Sequence, residues 1–214
     1  TSVLEAIFAV IASVCSIYPL QAQAEDQFVA IPSFRVGPYG QNGQAFYGGF
    51  IDYLTYVNLK DGGVNGVKFS WEECETEYNN AKGVECYERL KGKSAGAIFQ
   101  PLSTGITFAL TEKAPADKNP LITGGYGRSE SSDGNVFKWN FPLMGTYWSG
   151  ADIIMQTITK REGGNLKGKK IALVYHDSPF GKESLPIMQE RAKMHGFDLQ
   201  TLPVTAPGVE QKAT

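Results

Sequence analysis

Apolar positions in this chain recur with two periods, and the two periods take turns. Phe28–Phe34 is a short, nearly continuous apolar run that reads as a buried strand, followed by a glycine-rich turn. From Gln44 to Leu59, Phe46, Phe50, Leu54 and Val57 fall on one helical stripe, and Asp61-Gly62-Gly63 stops it. Val67–Trp71 alternates as a strand, Asn79–Leu90 reads as a helix and Ala95–Phe99 as a buried strand. Thr104–Lys113 is then helical, and Leu121–Thr123 is a strand ended by Gly124-Gly125. A polar stretch from Gly127 to Gly134 interrupts the rhythm before Val136–Phe141 resumes an extended pattern. Past Thr146 the alternation begins afresh, with helix Trp148–Glu162, strand Lys170–Tyr175, helix Glu183–His195 and strand Asp198–Val204. Pro186 is tolerable only in a first turn, which places that last helix start close to it.

This succession predicts an α/β fold with parallel sheets, right-handed crossovers and helices on both faces. A lobe boundary is expected near Pro142-Leu143, giving lobes over residues 25–142 and 143–214. The second lobe would hold only two strands, too few for an independent parallel sheet, so the sequence reads as truncated at its C-terminus.

The first 24 residues have a different character. An apolar run from Ile7 to Ile17 gives way to Tyr18-Pro19, and Ala22-Gln23-Ala24 then meets Glu25-Asp26. Small residues at the −3 and −1 positions predict a signal peptide cleaved after Ala24 and export to the periplasm. The run is shorter than the roughly 20 residues that a bilayer span needs. Val14 before Cys15 argues against a lipid anchor.

Without the leader two cysteines remain, Cys74 and Cys86, and in an exported chain such a pair predicts one disulfide. The histidines, His176 and His195, have no ligand-like neighbours, so no metal is expected. Apolar content of 42% describes an ordinary globular core, and a net charge of −2 without a basic stripe excludes a nucleic-acid binder.

Three turns carry candidate chemistry. Gly37-Pro38-Tyr39-Gly40-Gln41-Asn42-Gly43 lacks the dinucleotide spacing, and Pro38 removes a donor that would cradle phosphate. It reads as a tight strand-to-helix turn at the strand end where open α/β sheets bind ligands, with Asn42 able to project there. Ser103 or Thr104, after the Ala95–Phe99 strand, is the N-cap of the next helix. Hydroxyls and free N–H groups at that positive end form an anion site suited to a carboxylate. Phe180, in the Asp177-Ser178-Pro179-Phe180-Gly181 turn, is an exposed aromatic suited to covering a ligand. Gly181-Lys182 is followed by Glu183 rather than Ser or Thr, so it is no phosphate loop. No nucleophile–base set or nucleophile elbow assembles, and the sequence argues for binding without chemistry.

Together Val36-Gly37-Pro38, Asp61-Gly62-Gly63-Val64-Asn65-Gly66, Glu73-Cys74-Glu75, Leu102-Ser103-Thr104 and Asp177-Ser178-Pro179-Phe180-Gly181 resemble the type I periplasmic solute-binding proteins of ABC transporters, in the leucine/isoleucine/valine-binding branch. The resemblance runs from Gln27 to the last residue. It implies two Rossmann-like lobes joined by three hinge strands, closing around a small solute as a monomer and docking to an inner-membrane ABC permease, without a cofactor. By position it implies that Ser103 bonds the ligand carboxylate with Leu102 and Thr104 beside it, and that the Gly125 carbonyl receives an α-ammonium. Phe180 and Asn42 then fall where aromatic residues line the side-chain pocket. Two features depart from the family: Gly124-Gly125-Tyr126-Gly127 replaces a small-residue turn ending in Thr, and Asn42 replaces an aromatic. Tyr126 is thereby placed to stack on an aromatic acid. The expected solute is a branched-chain or other aliphatic amino acid. The alternatives are a binder of aromatic acids or amides, a ligand sensor of the same fold, and an exported hydrolase.

Overall fold

The computed structural model describes residues 25–212. The predicted signal peptide, its cleavage point and Cys15 lie outside the described residues. Strand β1 (Gln27–Ser33) is central: it pairs in parallel with β2 (Phe69–Glu75) on one side and β3 (Ile98–Phe99) on the other. With β4 (Leu121–Thr123) and β5 (Asn140–Pro142) it completes a parallel sheet of order β2-β1-β3-β4-β5.

Parallel neighbours need long crossovers, and helices supply them. Helix α1 (Gly40–Lys60) links β1 to β2, α2 (Asn80–Leu90) links β2 to β3, and α3 (Thr104–Thr111) with the short α4 (Ala114–Asp117) links β3 to β4. The period of two in β1 separates two cores. Phe28 and Ala30 pack with Tyr87, Leu90, Phe99 and Leu110 on one face. Val29 and Ile31 pack with Phe34, Tyr47 and Leu54 on the other.

A second sheet follows, formed by β6 (Lys170–Asp177) and β7 (Asp198–Thr205), parallel over their full length. Helices α5 (Tyr147–Arg161) and α7 (Ser184–His195) cover it, with Ala151, Met155, Leu166, Met188 and Phe197 as core. Between β6 and α7 lies a single turn, α6 (Pro179–Lys182). The α/β succession with parallel sheets is thus as expected, and Cys74 in β2 is bonded to Cys86 in α2, with Cα atoms 5.7 Å apart.

Several bounds differ from expectation, each for a physical reason. Helix α1 begins at Gly40, not Gln44, because the glycine turn is itself helical: the Gly43 N–H bonds the Tyr39 carbonyl. A Cβ on Gly43 would lie 1.8 Å from the Phe34 carbonyl oxygen, so only glycine lets the helix start lie on the strand end. The buried stripe of α1 runs through Gly40, Gly43, Tyr47, Leu54 and Val57, and Phe46, expected inside, is exposed. Tyr47 replaces it, fully buried, with its hydroxyl 3.1 Å from the Pro32 carbonyl oxygen and 3.0 Å from that of Pro101. Val67, expected to open β2, instead bridges Val64 within the preceding turn. The 127–134 stretch contains a 3-10 turn, Ser129–Ser132, and β5 is confined to three residues after it.

Candidate functional site

The strand ends after β1, β2, β3 and β6 face one another across a cleft of about 520 Å³. Its position beyond the carboxyl ends of parallel strands is where such sheets take up ligands. One wall comes from the first sheet and carries Tyr39, Tyr78, Asn80, Ser103 and Gly105. The facing wall carries His176, Ser178 and Phe180, and Pro207 after β7 closes one side.

Ser103 has 1% of its surface exposed and caps α3, its Oγ accepting the Ile106 N–H at 3.2 Å. That leaves the Thr104 and Gly105 N–H groups without intrahelical acceptors at the positive helix end. Gly105 faces the cleft, and a Cβ there would sit 2.5 Å from the Asn80 side-chain oxygen. Helix α2 therefore begins directly against α3. Asn79 caps α2 by accepting the Lys82 N–H, so this second helix start also opens on the cleft.

The turn from Thr76 to Asn79 is strained in a useful direction. Glu77 and Tyr78 adopt φ of 52° and 61°, left-handed values that cost non-glycine residues roughly 1 kcal/mol or more each. Local bonds hold them there: the Thr76 hydroxyl donates to the Ser33 carbonyl at 2.8 Å and accepts the Tyr78 N–H at 3.2 Å. The Tyr78 ring is thereby set edge-on to Phe34 at 4.9 Å and against Tyr39 at 4.7 Å. Leu102, with φ of 45°, is strained likewise just before Ser103.

Contacts cross between the two sheets. The Tyr39 hydroxyl lies 3.1 Å from His176 Nε2, and the Thr104 hydroxyl lies 3.2 Å from that of Tyr147. The Ser129 N–H donates to the Glu183 carboxylate at 2.8 Å. His176 in turn stacks on Phe180, with ring centroids 4.9 Å apart. Burial raises the Tyr39, Tyr78 and Tyr147 hydroxyls above the ordinary tyrosine value, so all three are neutral donors at pH near 7.

The structure brings Ser103 and Phe180 together on the cleft. Thr104 is buried and does not line the cleft, its hydroxyl being occupied by Tyr147 and by the Gly127 N–H. Tyr126 stands behind: its hydroxyl accepts the Leu102 N–H at 2.8 Å and so braces the strained residue leading to Ser103. Gly125, Leu102 and Asn42 do not line the cleft, and Asn42 is exposed in the first turn of α1. Sequence reasoning missed Tyr39, Tyr78, Asn80 and His176. Tyr39 lay within the turn singled out, but that turn is the start of α1, which puts Tyr39 on the cleft and Asn42 on the exposed side of the first turn. Among the described residues no cluster of His, Cys, Asp and Glu could hold a metal.

A family model described as periplasmic binding protein matches residues 27–212. Among solved structures, an ABC transporter permease from the Pseudomonas fluorescens group shares 48% identity, with a TM-score of 0.75, over 87% of this chain and 46% of its own. A branched chain amino acid ABC transporter from Thermus thermophilus with bound valine shares 22% identity and a TM-score of 0.69, over 84% of this chain and 46% of its own. A solute binding protein from R. palustris in complex with benzoate shares 18% identity and a TM-score of 0.71, over 87% of this chain and 50% of its own. The chain spans about half the length of the solved structures it matches. No curated protein matches it. A strand-end cleft between two parallel sheets and a family match over nearly all described residues agree: this chain belongs to the type I periplasmic binding protein family.

Proposed function

We propose that this chain is the extracytoplasmic solute-binding component of an ABC importer, that it captures a small carboxylate-bearing solute, and that an inner-membrane permease receives it. The two sheets act as lobes divided near Pro142-Leu143, and the cleft between them binds without making or breaking bonds. A cleaved leader ending at Ala24 delivers the chain to the periplasm. The carrying observation is that α3, capped by Ser103, opens with Gly105 onto the same cleft as Phe180. A carboxylate there meets N–H donors and a hydroxyl that are already oriented, so little reorganisation is needed on binding. Between an aliphatic amino acid and an aromatic acid, the rings that face the cleft favour the latter.

Ser103→Gly tests the reading. Glycine keeps N-cap stability to within a few tenths of a kcal/mol, so the fold survives while the hydroxyl is lost. Titration calorimetry should then show carboxylate affinity lower by about tenfold, the scale of one hydrogen bond to a charged group. Unchanged affinity would contradict it.

A further inference from the structure

We propose, resting on that reading of the cleft, that the solute is an aromatic carboxylate, its ring held among Tyr39, Tyr78 and Phe180 and its acid group read by Asn80 beside Ser103. The walls are the first argument. Each ring that lines the cleft is supported by another: Phe34 stands behind Tyr78 at 4.9 Å, and His176 lies stacked on Phe180 at 4.9 Å with 24° between planes. The remaining apolar lining is proline and alanine: Pro38, Ala81, Pro179, Ala206 and Pro207. Flat, rigid walls of this kind match a planar ring, which gains stacked or edge-on contact that a branched aliphatic chain lacks. The left-handed backbone at Glu77 and Tyr78 points the same way, because such strain persists where the surroundings enforce one ring position.

The polar end is the second argument. Asn80 lies at the first position of α2, exposed, with its carboxamide wedged against Gly105. Its side chain makes no hydrogen bond to another described residue, while its neighbour Asn79 is occupied as the cap. The carboxamide oxygen and nitrogen lie 2.5 and 3.0 Å from where a Gly105 Cβ would stand, so rotation of the amide turns its N–H₂ toward an anion at the start of α3 as one more neutral donor. The cleft side chains supply hydroxyls, amides and an imidazole. Among the described residues that line the cleft, that set offers neutral donors to a single anionic group.

The test is titration calorimetry of the full chain with benzoate, 4-hydroxybenzoate, benzamide and L-leucine. The aryl acids should bind at least about tenfold more tightly than L-leucine or benzamide. Asn80→Asp keeps an acid-tolerant helix start but sets a negative charge against the ligand, and should weaken benzoate by about tenfold or more without weakening benzamide. Phe180→Leu keeps apolar bulk and removes the π face, and should weaken benzoate by a larger factor than it weakens L-leucine. Tighter binding of L-leucine than of either aryl acid would overturn this inference and leave the carboxylate-binding cleft standing. Benzamide binding as tightly as benzoate would overturn the carboxylate reading of the cleft and this inference with it, whereas undiminished benzoate binding by Asn80→Asp would overturn the role of Asn80 alone. Binding of none of the four, by protein with native circular dichroism, would overturn both readings.

Discussion

The Ser103 hydroxyl caps α3, and substitution separates that job from the ligand role proposed for it. Ser103→Ala removes a cap and should lower unfolding free energy by about 1 kcal/mol, measurable by urea denaturation, whereas Ser103→Gly should lose only a few tenths. Equal losses would mean that the cap bond to Ile106 contributes little. Gly105 is the companion case. Gly105→Ala forces a methyl within 2.5 Å of the Asn80 oxygen, the far end of a flexible side chain, so the fold should survive while Asn80 is displaced. Carboxylate affinity should then fall with little change in melting temperature, and unaltered affinity would remove Asn80 from the site. Gly43 differs, because its Cβ would meet the Phe34 backbone, which cannot give way. At this scale Ser103 and Phe180 were legible, because a cap before a helix and an aromatic in a glycine turn are local signals. Tyr78 and Asn80 were not, because the first depends on a strained turn and the second on α3, which packs against it at Gly105 from far along the chain.

The elements around the cleft are tied at their ends rather than their middles. Cys74–Cys86 fixes α2 to β2 across 12 residues, and reduction should lower stability by about 2–4 kcal/mol in a chemical denaturation series. An unchanged midpoint would mean that packing alone holds α2. Arg35, just after β1, makes a two-pronged ion pair with Glu73 in β2. Burial is the largest single influence and acts to raise the Glu73 carboxyl, but the bonding and charge of its partners, Arg35 first, together outweigh it and hold the group below the usual glutamate value. A depressed carboxyl stabilises the fold fully above its unfolded value of 4.5 and loses that contribution as pH falls through the folded value. Glu73→Gln should therefore destabilise the protein at neutral pH by an amount that shrinks below about pH 4.5, read from urea midpoints. An equal deficit at both pH values would mean that the pair acts through packing. The order and type of elements were legible because apolar periods of 2 and 3.6 do not imitate each other. The start of α1 and the extent of β5 were hidden, since glycines at helical spacing carry no apolar signal and β5 pairs only along β4.

As a whole the chain is two parallel sheets brought together at a cleft, with hydrogen bonds reaching across it at Tyr39–His176, Thr104–Tyr147 and Ser129–Glu183. Tyr39→Phe keeps the ring but loses the bond to His176, worth about 1 kcal/mol net. The ligand-free protein should then populate more open forms, seen as a larger radius of gyration in X-ray scattering, and an identical scattering curve would mean that the other contacts suffice. The decisive measurement is thermal unfolding of the full chain against matched pairs of small carboxylates and their neutral amides. A carboxylate present at about 100 times its dissociation constant should add about 2.7 kcal/mol of stability while its amide adds much less. A larger shift with the amides than with the acids would contradict an anion-binding helix end at Ser103.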